Sequence, residues 1–472
     1  MGATQSKEME KDLSLLSDED RQAIAVLFGT DKLDHLSTVP RSKIFEQLIE
    51  SCSKENELFV ERFCDILSEY TTGETHVTLR NYIKYAVRLL KGPTEGKASV
   101  VIYLASGQSK FATSKDIMNY LKTIVSLFKL FSSLEPSFKS WDNYMADEDS
   151  MIENLCQYLG RDLFFHEIPS KERSTLREIP DKNFKELEVS EWLIHNHVLA
   201  EIHTMLFTRF FNMSTPNVVA PLIPLCMVQA NSGYKKFLSF SEIIFVNTAI
   251  PLEVRDTWRL LYSTSAHGES FSTLFGNILE KGPSLVFVED THGHRFGGFA
   301  AEDWRVNPHF YGKPTAFLFS IKPLMATFGC TGYNEHYQYF NIKCHTFPNG
   351  LGFGGQLEYF CLWIDSDFGK GYCSPSSSTY GNPQLSHEKE FKIQHLEIWG
   401  VGVEPKKEVT EKVSILDVDM EAAAMLKVTG KTPVSEGLRD TATSDQPGEK
   451  ELPPLDTALY GSSPPGRSRF NH

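Results

Sequence analysis

Few side chains in this sequence stand at spacings that do chemistry. His292 and His294, in "EDTHGHRF", could share one face of a strand, and two imidazoles are the beginning of a metal site. No third ligand stands beside them, so no metal centre is expected. Glu269 and Glu289 could act as a carboxylate pair, although separation along the chain does not fix distance. The alternative is that Glu269 favours a helix start and Glu289 ends a strand. "HGESFS" is not a nucleophile elbow. That turn needs small residues two before and two after the serine, and Ser272 occupies the second place. "GLGFGG" has the glycines of a phosphate loop without a following Lys-Ser/Thr, and predicts a tight chain path in a β domain. Among the eight cysteines, Cys344 lies between Lys343 and His345 and is the best candidate for a reactive thiol; Cys330 lies nearby. Buried, inert cysteine is the default for the rest. No catalytic residue and no cofactor site is expected.

The amino terminus, "MGATQSKEM", carries a different chemistry. Loss of Met1 exposes Gly2, and Ser6 stands where the myristoylation pattern wants a hydroxyl. Gly2 is therefore the candidate lipidation site, with a free amino terminus as the alternative. One acyl chain binds a membrane only marginally. Lys7 and Lys11 are offset by Glu8 and Glu10, so no basic patch assists it.

The net charge of −14 argues against a nucleic-acid binder. "NVVAPLIPLCMV" is too short to span a bilayer, and no secretory signal is expected. The cysteines form no CxxC pair, and reduced thiols are expected.

The elements that must position these residues fall into an α+β fold. Residues 1–16 read as flexible. "LSDEDRQAIAVLF" starts a helix with Ser17 as N-cap, and three more helices follow to "LRNYIKYAVRLLKG". Residues 17–96 thus form helix pairs shaped like EF-hands. The calcium chemistry is missing: Asp31 and Asp34 have the wrong spacing, and neither loop has the closing Glu. Residues 97–240 continue helical. "SEWLIHNHVLAEIHTMLFTRFF" puts Trp192, Leu199, Ile202, Leu206 and Phe210 on one stripe, with His195 and His197 pointing apart. From 241 to 401 the pattern turns to antiparallel strands, such as "SLVFVED", "AFLFSI", "YQYFNI", "YFCLWID" and "FKIQHLEIWGV". "NTAIPLEVRDTWRLLYSTSAHGESFSTLFGNI" supplies two helical stretches. A last amphipathic helix is expected over 411–431. Its stripe contains Ile415, Val418, Ala422 and Met425, widened by Leu416 and Leu426. It packs on its own protein or grips a partner. Residues 432–472 have the composition of a disordered tail.

The blocks "LYSTSAHGESFSTLFGNI", "GPSLVFVEDTHGHRFGGFAAEDW", "TGYNEHYQYFN", "PNGLGFGGQ", "LWIDSDFGKG" and "LEIWGVG" resemble the TLDc domain family. Some members protect against oxidation, and others bind the vacuolar proton-pumping ATPase. With the Gly2 start, the helical front and the final helix added, the chain resembles the branch associated with mTOR at lysosomes. The resemblance implies a non-catalytic scaffold or regulator, peripheral on the cytoplasmic side of the lysosomal membrane. It implies mTOR complex components and vacuolar ATPase subunits as partners. The competing reading is an oxidation-protective protein with a reactive cysteine. Here Cys373 comes early after "DFGKG" and "SPSSSTY" follows without cysteine, which departs from the family pattern.

Overall fold

The computed structural model describes residues 9–405, apart from 31–32, 34–36, 72–73, 109, 149, 174–175, 215–220 and 229–232. Gly2, Asp31, Asp34 and the expected helix with Ile415, Leu416, Val418, Met425 and Leu426 lie outside the described residues.

Residues 9–14 are already helical, with Met9 and Leu16 buried, in a stretch expected to be flexible. Helix α1 (Asp18–Phe28) begins where the Ser17 side chain accepts a hydrogen bond from the Asp20 N–H, and three acids fill its first turn. Gly29, at φ 64°, closes it in the left-handed conformation. Helices α2 (Arg41–Ser51), α3 (Glu57–Leu67) and α4 (Leu79–Leu90) follow. The two connecting loops meet backbone to backbone: β1 (Thr38–Pro40) pairs antiparallel with β3 (Glu74–Thr78), which also pairs with β2 (Ser68–Thr71). Val39 and Val77 face each other in this ladder and are buried.

Helices α5 (Thr94–Ser106), α6 (Ser114–Ser132), α7 (Ser150–Arg161), α8 (Glu186–His195) and α9 (His197–Phe210) complete the helical half. A capping box between Thr113 and Asp116 opens α6. The single helix expected across 190–211 is broken at Asn196. That residue leaves helical geometry (φ −102°, ψ 83°), and its side chain caps α9 by accepting from the Leu199 N–H. Asn196 also donates to the Leu159 carbonyl, so packing against α7 redirects a chain that local pattern would have continued. The apolar stripe survives the break: Trp192, Leu199, Ile202, Leu206 and Phe210 are all buried.

The second half opens with α10 (Phe240–Ala249), entered where the Glu242 carboxylate accepts from the Ser239 N–H at 2.7 Å. Its strands are β4 (Leu225–Met227), β5 (Thr257–Ser263), β6 (Ser284–Asp290), β7 (Arg295–Ala300), β8 (Asn307–Tyr311), β9 (Phe317–Lys322), β10 (Ala326–Gly329), β11 (Gln338–Asn341), β12 (Gly350–Gln356), β13 (Tyr359–Asp365), β14 (Lys370–Cys373) and β15 (Glu390–Val401). Helix α11 (Phe271–Ile278) lies between β5 and β6. The order across the sheet is β8-β11-β12-β13-β14-β15-β6-β7-β9-β10, with β5 also paired to β15 and β4 parallel to β5. β15 is the hub. Residues 390–392 pair with β14, 393–400 pair with β6, and 397–401 also pair with β5 on the other side. Strand β5 was not among the expected elements. "TWRLLYS" is a short apolar run that periodicity alone cannot assign, and pairing to β15 decides it.

The halves share a core. Trp141 from the helical half is fully buried against Trp258 of β5 and Trp399 of β15, with ring centroids 5.8 and 5.1 Å away. Its indole N–H donates to the Pro224 carbonyl at 2.7 Å. Arg161 at the end of α7 donates to the Met325 carbonyl at 2.6 Å.

Candidate functional site

β15 alternates, so His395 and Glu397 lie on one face. Glu397 is fully buried. Its carboxylate accepts from Trp399 Nε1 (2.8 Å), Ser263 Oγ (3.2 Å) and Tyr234 Oη (3.4 Å), and faces His395 Nε2 at 3.1 Å. The other imidazole nitrogen of His395 meets Thr264 Oγ1 at 2.9 Å. Hydroxyl, imidazole and carboxylate therefore stand in a row, as in a hydrolase. The surroundings are those of a packed polar core. Thr264 Oγ1 also accepts from the Leu396 N–H at 3.3 Å, and the Phe237 ring lies 4.4 Å from the imidazole. Burial and the adjacent carboxylate push the Tyr234 phenol well above its ordinary value. The network fastens the short helix Thr264–His267 and the segment before α10 to β15.

A second polar node joins the two halves. Arg295, at the start of β7, pairs with Glu242 of α10 (3.0 Å), Glu289 of β6 (3.2 Å) and Glu148 of the helical half (3.2 Å). Its guanidinium lies 4.7 Å from the Phe237 ring centroid, and Lys322 reaches Glu148 at 3.0 Å. Burial works against the Arg295 charge, but Glu242, Glu289 and Glu148 outweigh it and hold the guanidinium above its ordinary value. Burial raises Glu148, yet the hydrogen bond from Lys322 and the charges of Arg295 and Lys322 hold it below the usual carboxylate range.

Glu269 and Glu289 do not form a carboxylate pair. Glu289 belongs to the Arg295 cluster, while Glu269 lines a cleft of about 490 Å³ with Lys343, Asn349 and Asp367. Ser270, not Glu269, caps α11, accepting from the Thr273 N–H, and Ser272 lies 2.9 Å from it. "GLGFGG" is β12, and its glycines make room for rings. A Cβ at Gly352 would sit 2.6 Å from the Phe360 ring, and one at Gly355 would sit 2.1 Å from the Tyr359 carbonyl oxygen. His195 and His197 line one cleft of about 360 Å³ between the halves, with Asp162, Thr248 and Thr327. None of the clefts of 360, 490 and about 540 Å³ is lined by Thr264. The last is bounded by Met227, Arg259, His267, Lys281 and Glu404.

Cys344 is the distinctive thiol. It is half-buried in the turn after β11, and its pKa is lowered to about 7. The cause differs from the flanking Lys343 and His345 that drew attention to it. The backbone N–H and hydroxyl of Thr346, then the backbone N–H of Phe347, converge on the sulfur and favour the thiolate. Burial pushes Cys330 and Cys52 up to about 11, and Cys64, Cys156, Cys361 and Cys373 up to about 12.

His292 and His294 do not share a strand face; both lie in the turn between β6 and β7. The His387 ring stacks on His292 with centroids 4.3 Å apart. Sequence reading missed His387, the Arg295 node and the His395–Glu397 pair. Only the last had a signal, the two-residue spacing in "QHLEIW".

Residues 231–402 match the profile of the TLDc domain, so the sheet built around β15 is a TLDc domain. The helical half extends the likeness. "MTOR-associated protein MEAK7" of Xenopus laevis is 32% identical over 464 residues, covering 94% of this chain and 100% of that one. The protein of that name from Homo sapiens is 32% identical over 385 residues, 80% of this chain and 84% of that one. The chain belongs to the MTOR-associated protein MEAK7 family. "Oxidation resistance protein 1" of Rattus norvegicus is 37% identical over 150 residues, 32% of this chain and 17% of that protein. No described helix is long and apolar enough to cross a membrane.

Proposed function

We propose that this chain is a non-catalytic regulator that binds components of the mTOR machinery at the lysosomal surface. The observation that carries this reading is likeness across 94% of the chain to a protein named for its association with MTOR. The packed setting of Thr264, His395 and Glu397 supports it, because those groups are used up in holding β15 to its neighbours. In this reading Gly2 is acylated and delivers the chain to the membrane. The helix at 411–431, through Ile415, Leu416, Val418, Met425 and Leu426, grips the partner, with vacuolar ATPase subunits a second partner class. A single acyl chain holds only marginally, so partner capture supplies the second attachment.

The test is affinity purification from lysosomes, with mTOR and proton-pump subunits quantified side by side. Gly2→Ala is expected to weaken membrane association. Truncation after Pro405, or Ile415→Asp with Met425→Asp, is expected to lose the partner and leave only a residual, Gly2-dependent membrane fraction. The cut belongs after Pro405, because Glu404 pairs with Lys281 at 2.6 Å and the Gly402 carbonyl accepts from Arg259. Unchanged co-purification with the stripe disrupted overturns the gripping role. A large fall in melting temperature assigns the helix to its own core instead.

The lowered pKa of Cys344 favours a second reading, an oxidation-protective protein whose thiolate meets peroxide. Peroxide consumption that disappears in Cys344→Ser would support it. Equal consumption by both proteins would exclude it.

A further inference from the structure

The third metal ligand that "HGH" lacked in the sequence arrives from the loop before β15. His292, His387 and Glu388 each offer one ligand atom, and these atoms lie within 4.8 Å of one another. The three side chains are exposed and belong to segments far apart in the chain, the β6–β7 turn and the loop ahead of β15.

Their backbones are held together by one buried carboxylate. Asp290 is 1% exposed. Its Oδ1 accepts from the N–H groups of His292 and His294, both at 2.9 Å, and its Oδ2 accepts from the His387 N–H at 2.8 Å. The turn is closed further by Asp290 N–H donating to the His294 carbonyl and Gly293 N–H to the Asp290 carbonyl. The far side is anchored where Ser386 Oγ donates to the Glu388 carbonyl and Thr291 N–H donates to the Lys392 carbonyl. His294 stands at the rim. Its Nδ1 lies 3.3 Å from the Leu385 carbonyl, and its ring meets His387 edge-on with centroids 5.3 Å apart.

We propose that His292, His387 and Glu388 form a binding site for a divalent transition metal of the Zn²⁺ class. Two imidazoles and one carboxylate are the donor set of open zinc sites. Imidazole selects against Mg²⁺ and Ca²⁺, which take oxygen ligands. Ligands about 2.1 Å from one tetrahedral ion stand about 3.4 Å from each other, so the exposed side chains close on the metal by torsion alone, over a fixed backbone. Three protein ligands leave a fourth position to water. The bound ion clips the β6–β7 hairpin to the loop that leads into β15.

The test uses the untagged full chain, stripped with a chelator and titrated with Co²⁺ and then Zn²⁺. One Co²⁺ per chain with the visible absorption of four-coordinate cobalt is expected, displaced by Zn²⁺, and Zn²⁺ is expected to raise the melting temperature. His292→Ala and His387→Ala should each weaken binding at least tenfold and abolish the absorption, and Glu388→Gln should weaken it. Each variant should melt like the metal-free parent. Loss of binding in His294→Ala as well makes that residue the fourth ligand and leaves the site standing. A parent that takes up no Co²⁺ at 100 µM overturns the proposal. So do His292→Ala and His387→Ala proteins that keep the parent's stoichiometry and affinity.

Discussion

Cys344 and Arg295 show how far a single side chain's behaviour depends on what surrounds it. With a pKa near 7, Cys344 is substantially thiolate at neutral pH, whereas burial keeps the other described thiols protonated. Iodoacetamide at pH 7.5 is therefore expected to label Cys344 first in the folded chain. Thr346→Ala removes the hydroxyl donor, so the midpoint of the rate-against-pH curve should move up; mass spectrometry of the labelled peptide reads both. Arg295 neutralises Glu242, which has no exposed surface. Arg295→Ala leaves that carboxylate buried without its partner, and a loss of about 3–5 kcal/mol is expected in urea unfolding. Arg295→Met with Glu242→Gln should recover part of it. Nothing in "HRFGG" announces this role. An arginine at a strand start is ordinary, and two of its three carboxylates, Glu148 and Glu242, come from distant parts of the chain.

At the scale of elements, the seam between the halves is built as a core. Trp141 is fully buried at it and sits against two tryptophans of the β half. Trp141→Ala should cost about 3–5 kcal/mol, and Trp141→Phe less, measured by denaturant unfolding of the whole chain. Loss of the helical transition alone, with the β transition unmoved, would show that the halves fold independently. In the helical front, β1 and β3 join the two helix–loop–helix units through backbone hydrogen bonds. Neither loop supplies a closing Glu, so calorimetry of the full chain is expected to show no saturable micromolar calcium uptake. The helices were legible because caps and apolar stripes are local: Ser17 caps where the sequence put it. The break at Asn196 and strand β5 were not, because each depends on a partner distant in sequence, the Leu159 carbonyl and β15.

The whole molecule should lose stability in acid in two stages. His203 is buried against Tyr120 Oη at 2.8 Å, and burial, helped by Lys97, lowers its pKa to about 3. An imidazole that stays neutral when folded, but takes a proton near pH 6.5 when unfolded, draws the equilibrium toward unfolding as pH falls below 6.5. Glu148 and Asp20 act later. Burial raises both, but Lys322 and Arg295 around Glu148, and hydrogen bonds from Ser214 and Ser17 around Asp20, leave their folded values lowered. Their contribution is present above about pH 4.5 and is lost as pH falls through the lowered folded values. Melting temperatures from pH 7.5 to 3.5 should show the first decline below 6.5, and His203→Leu should flatten that part of the curve. A decline unchanged in the variant would place the sensitive group elsewhere.

The sequence by itself determined the class of fold, the order of helical front and β-rich domain, and the family. These rest on periodicity, capping and ordered blocks of residues, which are properties of neighbouring positions. It also showed why "GLGFGG" is a strand path rather than a phosphate cradle. Only the tertiary structure decided which charged and polar groups meet. Glu269 and Glu289 stand in different surroundings, while Glu148, Glu242 and Glu289 converge on Arg295. His292 gains His387 and Glu388 as neighbours through a buried Asp290. The physical reason is the same in each case. A strand's face is fixed by its own alternation, but the residue opposite it is fixed by sheet order and loop path, and those are set by the packing of the whole chain.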